Sequence, residues 1–516
     1  MRKGFINCEL YGHPGSSAML VEDERIVQIG SNEEIQGKLE KTDELVDVGG
    51  LFVVPGFVDS HMHLLELGYY LNNVQLLNVH TIDEVRRRVE EKCSEGSTKW
   101  VVGRGYDETG IPDGVINKAF LDSISTTQPI VLRRVCGHAS CLNSAALEKA
   151  GITEDTVMEG GRIDFENGMV YEKAVDYVQH KIPEPDVEEI KDMILLAEEY
   201  CAKFGITAVG SDDFLSVVGD YKPVLTAYEQ LSYQERLRLR IVEQCEFTSP
   251  KNYAEFLDEG YTQGVGNDHF VIGPLKLIAD GSLGAKTAAM RVPYIGTEDE
   301  KGELLYSDEQ MTLLVQMANR FNMGVIVHCI GDGALDQVLR ILKEEMYPGN
   351  PLHDGIVHCQ IMHKDQIDKV REMNLDCYFQ SLFIEDDASI LPHRVSKHLA
   401  ETCYPFHSLY TGNRCGNGSD APVTVPDVLK GMRLAVTRTA ADGSMMNIKE
   451  ALTVEEALLS YTKRSAELLG LEGCGTLAEG NFADFVVLDQ NILTAEDMAK
   501  TKVMMTVVDG KVVYER

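Results

Sequence analysis

Four histidines stand at the ends of short apolar segments of the chain: His61, His63, His328 and His358. His61 and His63 are two residues apart, and residues two apart on a β-strand face the same side. An imidazole buried at the end of an apolar strand costs free energy unless something binds it, and imidazole is a favoured ligand of Zn²⁺-like ions. One such histidine could be an ordinary core residue, but four of them at strand ends are poorly explained in this way. The pattern therefore predicts a metal site.

Asp420 closes the segment Gly-Asn-Gly-Ser-Asp at 416–420. One interpretation is a turn aspartate or a helix N-cap, which is common after Gly-Ser. The other is a carboxylate that ligates a metal and takes the proton from bound water. The segment by itself leaves both interpretations open.

Lys276 lies inside an apolar run, where an ammonium group is costly unless it is paired or neutralised. One interpretation is a salt bridge to nearby Asp280 or Asp212. The other is a neutral amine that reacts with CO₂ to form a carbamate, whose two oxygens could bridge two cations about 3.5–4 Å apart.

Eight short apolar runs must position these side chains, and they alternate with helical patterns such as 188–203 and 308–321. The runs cover 53–59, 206–212, 237–247, 270–278, 323–328, 354–358, 375–381 and 414–420. Strands alternating with helices predict an α/β fold, a (β/α)8 TIM barrel of parallel strands. Such a barrel keeps its active site at the carboxyl ends of its strands, which is where the histidines fall.

The two ends of the chain are rich in strand patterns, at 17–29, 482–489 and 503–515. We expect them to pair into one small β-sandwich domain, with Asp509-Gly510 as a tight hairpin turn. The predicted division is 1–53 and 471–516 for this domain and 54–470 for the barrel. Over 140 residues separate the first two apolar runs, where one βα unit needs about 30, so an inserted subdomain is predicted at about 70–195.

Composition excludes several classes of protein. The chain has 516 residues, of which 44% are hydrophobic, and a formal net charge of −34. These values exclude a disordered, collagenous or coiled-coil protein, and the acidic balance argues against nucleic acid or an anionic membrane as partner. We expect a small-molecule substrate, and the sequence leaves the oligomeric state open, a homodimer included.

Twelve cysteines contain no Cys-x-x-Cys pair, and the N-terminus carries no apolar run of signal-peptide length. Cys329 and Cys359 each follow a predicted ligand and so point to the opposite face of their strands, which suits packing. Free thiols without a secretion signal favour a cytoplasmic protein.

The stretch Pro55-Gly-Phe-Val-Asp-Ser-His61-x-His63 resembles the first-strand signature of the amidohydrolase superfamily. The order that follows is also similar to that family: a lysine on strand four, histidines ending strands five and six, and an aspartate ending strand eight. The stretches at 276–288 and 418–422 resemble one branch, which includes N-substituted formamide deformylase. The C-terminal 475–484 is similar to the family's return to its β-sandwich.

This resemblance implies a site with two divalent ions. His61, His63 and Asp420 would bind one ion and His328 and His358 the other, with carboxylated Lys276 as the bridge. A shared hydroxide would attack the substrate carbonyl, and Asp420 would carry the proton to the leaving amine. Zn²⁺ is the favoured metal, and Mn, Fe or Co are alternatives.

Three further residues are predicted to bind substrate: His138, Asp280 and Arg291. A similar stretch around His138 reaches over the pocket in this branch of the family, with Asn143 in a structural role. An ordinary polar loop is the alternative for His138. Relatives often carry an aromatic residue where this chain has Ser140-Cys-Leu142, which puts the shape of the substrate side in doubt.

The sequence thus predicts a metal-dependent hydrolase of C–N bonds in amides such as N-acyl or N-formyl amines. A lactonase or phosphotriesterase on the same site is a second interpretation, because the same bridging hydroxide can serve both. A non-catalytic scaffold is a third, and it is disfavoured because all six expected ligand positions are filled.

Overall fold

Eight parallel strands form one sheet in the larger of two compact units. The structure is a computed structural model that describes residues 2–96 and 99–516, and its larger unit comprises residues up to 66 and 197–516. Neighbours in the sheet follow chain order, and we number them as barrel strands one to eight: Phe57–Met62, Ile206–Ser211, Arg240–Glu246, Phe270–Ile278, Val325–Cys329, Gly355–His358, Asp376–Phe379 and Cys415–Asn417. This confirms the predicted TIM barrel.

Backbone hydrogen bonds just beyond strand eight reach strand one and bring the two edges of the sheet together. The Asp420 amide donates to the His61 carbonyl at 2.8 Å, and the His63 amide donates to the Ala421 carbonyl at 2.8 Å. The Ser419 amide donates to the Asp59 carboxylate at 3.0 Å. The ends of the first and last strands are therefore held in register at the point where their ligand residues lie.

Helices alternate with the barrel strands, as the sequence predicts. Those of the larger unit from strand two onward are Tyr221–Tyr233, Pro250–Asp258, Asp308–Arg320, Asp332–Glu345, Lys364–Glu372, Ile384–Ile390, Lys397–Ala400, Phe406–Tyr410, Val428–Thr437, Val454–Ser460 and Lys463–Leu468. Val187–Ala202 leads into strand two, and Leu64–Asn72 follows strand one. Thr453 forms a capping box with Glu456 at the start of the helix Val454–Ser460.

The first apolar run divides into two strands, which corrects its interpretation as one strand over 53–59. Phe52–Pro55 pairs with Phe485–Leu488 in a small sheet, and the barrel strand begins only at Phe57. Gly56 separates them, and a Cβ there would lie 2.2 Å from the Thr207 hydroxyl oxygen. The close approach of strand two requires glycine at this position.

Two small sheets built from both ends of the chain form the predicted β-sandwich. One contains Arg2–Ile6, Ala18–Glu22, Arg25–Gly30 and Glu44–Asp47, and the other contains Glu9–Leu10, Phe52–Pro55, Phe485–Leu488, Val503–Val508 and Lys511–Glu515. Phe5 of the first sheet packs edge-on against Phe485 of the second, with ring centroids 4.9 Å apart. Asp509 and Gly510 both have positive φ, as a tight primed hairpin turn requires.

A buried ionic cluster ties the start of barrel strand three to the sandwich. Arg240 donates to Asp484 at 2.7 Å and also to Asp509. His269 Nε2 lies 2.7 Å from the second Asp509 oxygen. The cluster lies at the amino ends of the strands, so it fixes the scaffold rather than the ligand residues.

The second compact unit comprises residues 67–196 and contains a six-stranded sheet. In sheet order its strands are Gly161–Asp164, Met169–Glu172, Ala139–Leu142, Ile130–Arg134, Val101–Tyr106 and Val74–Gln75, and its helices are Ile82–Ser94, Lys118–Asp122, Ser144–Ala150 and Lys173–Gln179. Separate apolar clusters cover its two faces, one around Tyr106 and the other around Val131.

Within residues 2–96 and 99–516, the helices lack the combination of length and apolar character that crossing a bilayer demands. The short N-terminal helix Asn32–Gln36 begins at Ser31 with a capping box.

Candidate metal centre

The six predicted ligands gather at the carboxyl ends of the barrel strands. Strand one carries His61, strand four Lys276, strand five His328 and strand six His358. His63 follows strand one directly, and Asp420 lies three residues beyond strand eight. The fold therefore brings together side chains that are up to 359 residues apart in the chain.

His61, His63 and Asp420 form one group of converging donor atoms. Asp420 Oδ1 lies 3.5 Å from His61 Nε2 and 3.2 Å from His63 Nε2. One ligand atom from each residue falls within 4.8 Å of those of the other two, as a single metal ion requires. The backbone bonds between strand eight and strand one hold this arrangement.

The Nδ1 atoms of these two imidazoles, which are not the atoms facing Asp420, are hydrogen-bonded to carbonyl oxygens. His61 Nδ1 donates to Gln244 Oε1 at 2.5 Å, and His63 Nδ1 donates to the Asp212 carbonyl at 2.7 Å. An oxygen acceptor requires the proton on Nδ1, so in the neutral form of each ring the lone pair is on Nε2, the nitrogen that faces Asp420. A carbonyl or carboxamide behind each imidazole is the usual arrangement of metal-ligating histidines.

His328 and His358 form a second pair of facing donors. His328 Nδ1 and His358 Nε2 lie 2.8 Å apart, and His328 Nε2 donates to the Gly281 carbonyl at 3.1 Å. The ring of His358 also lies edge-on to that of His61, with centroids 5.9 Å apart. The two groups of donors are therefore neighbours.

Lys276 lies on strand four beside His61, with 1% of its surface exposed. Its Nζ is 2.9 Å from Asp212 Oδ2 and 3.4 Å from His61 Nε2. The unmodified lysine thus pairs with Asp212, one of the two partners considered from the sequence, and not with Asp280. The other Asp212 oxygen is buried and accepts no hydrogen bond from the described residues.

The electrostatics of the site suit a bound cation. Burial lowers the pKa of His61 and His328 far below the usual value and that of His358 to about 4, so these imidazoles are neutral, as metal ligands must be. Burial opposes protonation of His63, but its hydrogen bond to Asp420 raises its pKa to about 10. Asp420 therefore stabilises positive charge at the point where the three donors converge.

The donor set therefore fits divalent metal ions. The neutral imidazoles of His61, His328 and His358, the imidazole of His63, one ionised carboxylate and a buried lysine provide nitrogen and oxygen ligands of the kind that Zn²⁺ and its neighbours accept. His61, His63 and Asp420 would hold one such ion.

A polar triplet at the end of strand two fixes the chain just after His63. Ser211 Oγ accepts from the Leu64 amide at 2.8 Å, and Asp213 Oδ1 accepts from the Leu65 amide at 2.8 Å. Asp213 also accepts from the Tyr228 hydroxyl. Sequence reasoning missed this role and that of Gln244; the run Ser-Asp-Asp directly after an apolar strand is the signal that could have found it.

Asp280 accepts hydrogen bonds from loop backbone beyond the strands, whereas Arg291 pairs with carboxylates of two helices. Asp280 is buried and accepts from the backbone amides of Ile330, Gly331 and Ala289, at 3.0, 2.8 and 2.8 Å. Burial raises its pKa to about 7 against the effect of these bonds. Arg291 pairs with Asp336 and Asp365 at 2.6 and 3.2 Å. Substrate binding by Asp280 and Arg291 stays a prediction.

His138 lies in the second unit, where its exposed ring has Nδ1 3.1 Å from Glu172 Oε2. Its contact with substrate also stays a prediction. Asn143 is buried, caps the helix Ser144–Ala150 and donates to the carbonyls of Ser125 and Gln128. The structural role predicted for Asn143 is therefore confirmed.

Comparison with known proteins adds three similarities. Residues 44–514 match the model described as "Amidohydrolase family". The chain is 30% identical to the putative amidohydrolase YtcJ of Bacillus subtilis, over 99% of this chain and 98% of that protein. It is 25% identical to N-substituted formamide deformylase of Arthrobacter pascens, over 97% and 95% of the two chains.

A solved structure shares the fold. An uncharacterized metal-dependent hydrolase from Pyrococcus furiosus matches with a TM-score of 0.78 and 27% identity, over 96% of this chain and 100% of that one.

Proposed function

This chain belongs to the amidohydrolase family and is a metal-dependent hydrolase, and on that premise we propose that it cleaves the C–N bond of amide-type substrates such as N-acyl or N-formyl amines. The observation that carries the proposal is the convergence of His61 Nε2, His63 Nε2 and Asp420 Oδ1 beside a second pair of imidazole donors. Bound divalent ions supply a Lewis acid for a carbonyl oxygen and make water a stronger acid.

Asp420 is the residue that moves the proton. Burial opposes its ionisation, but the imidazoles of His63, His358 and His61 keep its pKa below the usual range, so it enters the reaction as a carboxylate. It accepts the proton of the attacking water and donates it to the leaving nitrogen, which departs as a neutral amine. An amide needs this proton more than an ester does, because an amine anion is a poor leaving group.

Lys276 is proposed to carry a CO₂-derived carbamate that links the two groups of donors. Its Nζ lies beside His61 and is sealed from water. The amine nitrogen would attack the carbon of CO₂ and lose a proton as the carbamate forms. Carboxylation would require Lys276 to leave its partner Asp212. Zn²⁺ is the favoured metal, with Mn, Fe or Co as alternatives.

The choice of C–N bond rests on a similarity across nearly the full chain. A relative of 25% identity over 97% of this chain is named N-substituted formamide deformylase. The substrate class proposed here follows from that name together with the donor set.

A substrate panel tests the proposal. We expect the metal-loaded protein to release amines from N-formyl or N-acyl amines, and Asp420→Asn to lower this rate by about 10²-fold or more. The exposed Asp299→Asn is the matched control and should retain wild-type rates. Turnover of lactones or phosphotriesters without any turnover of amides would replace the proposal with an ester-type hydrolase.

A further inference from the structure

The second unit contains a cavity of about 480 Å³ that is formed entirely by its own residues. Its apolar lining comes from the sheet and from the helix Lys173–Gln179, through Val102, Val131 and Val178. Two aromatic side chains, Tyr69 and Tyr70, add to the lining. The volume suits a small organic molecule.

Two arginines stand side by side at this cavity. Arg104 and Arg133 are direct partners in the register of adjacent parallel strands, and both line the cavity. Residues two apart on a strand share a face, so these arginines lie on the same side of the sheet as Val102 and Val131. Two like charges in register on neighbouring strands destabilise a sheet, so this pair needs an explanation.

Neither guanidinium forms an ion pair with the residues that the structure describes. Arg133 Nε donates to the Gly137 carbonyl at 2.9 Å, and Arg104 lies 4.8 Å from the centroid of the Tyr70 ring. The neighbouring Arg134, in contrast, pairs with Glu108 at 2.7 Å. In a chain with 82 acidic and 48 basic residues, two adjacent arginines without a carboxylate partner are unexpected.

The lining carries no acidic side chain among its described residues. The site therefore offers positive charge at one place and apolar surface next to it. A guanidinium presents a planar fork of donors that matches a carboxylate with two parallel hydrogen bonds. The valines and tyrosines suit an apolar or aromatic body, which a free inorganic anion lacks.

We propose that this cavity of the second unit binds a small organic carboxylate, with its carboxylate on Arg104 and Arg133 and its apolar body against Val102, Val131 and Tyr70. The proposal concerns the second unit alone and does not depend on the reaction at the metal centre.

Calorimetric titration of the full-length, metal-loaded protein with sodium benzoate tests the proposal. We expect saturable binding to the wild type, about tenfold or more weaker binding to Arg104→Gln/Arg133→Gln, and weaker binding of the neutral analogue benzamide. Arg162→Gln is the matched control, because Arg162 lies on Tyr171 of the same unit outside the cavity lining and should leave the affinity unchanged.

Three results would overturn the proposal. They are an absence of benzoate binding to the wild type, equal affinities for the wild type and the double variant, and inorganic phosphate binding more tightly than benzoate to the same arginines. The last result would identify a plain anion site. If the double variant does not fold, Arg104→Gln decides alone, because the Arg104 side chain is exposed and lies 4.8 Å from the Tyr70 ring centroid.

Discussion

Gln244 Oε1 accepts a hydrogen bond from His61 Nδ1 at 2.5 Å, while its amide nitrogen donates to the Ser60 carbonyl at 2.9 Å. The carboxamide can satisfy both bonds in only one orientation, so it fixes the tautomer of His61 and the direction of its Nε2 lone pair. Gln244 thereby orients the predicted metal ligand His61, although it is not itself one of the predicted ligands.

Replacing Gln244 should weaken metal binding without removing a ligand. We expect Gln244→Ala to lower metal affinity by about 10–100-fold, because His61 loses the acceptor that orients it. Competition with a chromophoric chelator measures the change. Gln316→Ala, an exposed glutamine on the helix Asp308–Arg320, is the control. Equal affinities for the two variants would contradict the orienting role.

Lys276 should be required for the second ion. We expect the wild type to bind about two divalent ions per chain and to carry one CO₂ on Lys276, since the two donor groups need a bridge. Lys276→Ala should lose activity and regain part of it with added short carboxylic acids. Metal analysis and intact mass provide the measurements. An unmodified lysine in an active protein with two ions would exclude the carbamate.

The hydroxyl of Tyr228 should stabilise the larger unit through Asp213. Tyr228→Phe removes a hydrogen bond to a buried carboxylate, and we expect the free energy of unfolding to fall by about 1.5–3 kcal/mol. Urea denaturation measures the loss. Tyr253→Phe is a matched control, because its buried hydroxyl donates to the Met323 sulfur, a weak acceptor, at 3.5 Å. If the free energy of unfolding falls equally in both variants, the hydrogen bond to Asp213 adds no stability beyond that of an ordinary buried tyrosine hydroxyl.

Stability should fall as pH rises because of the His269–Asp509 pair. Burial opposes protonation of His269, but the hydrogen bond and charge of Asp509 raise its pKa above the usual value. A raised folded pKa stabilises the protein fully below the unfolded value of about 6.5, and the stabilisation is lost as pH rises through the folded value. The urea midpoint should therefore fall as pH rises above about 6.5, and less steeply in His269→Gln. Parallel profiles would rule out this pair as the source.

The sequence predicts the ligands well because their chemistry is local. Each of His61, His328 and His358 ends or follows an apolar strand, and the order of barrel strands then places them at one edge without any knowledge of packing. Gln244 and Asp213 could not be predicted in the same way. Their roles depend on which backbone groups of strand one face strands two and three, and that depends on tertiary register.

The break between two strands at Gly56 also depends on tertiary contacts and could not be predicted from the sequence. An apolar run carries no mark of where one sheet ends and another begins, so 53–59 is compatible with a single strand. The division becomes visible only through Thr207, whose side chain leaves no room for a Cβ at residue 56. Arg104 and Arg133 are a further case, because their pairing follows from the register of two strands about 30 residues apart.

The small sheet that contains Phe52–Pro55 links the metal centre to a distant part of the chain. This segment leads directly into the strand of His61, and its sheet neighbour is Phe485–Leu488, which follows all the barrel strands in sequence. A product truncated before Phe485 would therefore keep all six predicted ligands but lose the strand that hydrogen-bonds the segment entering the barrel.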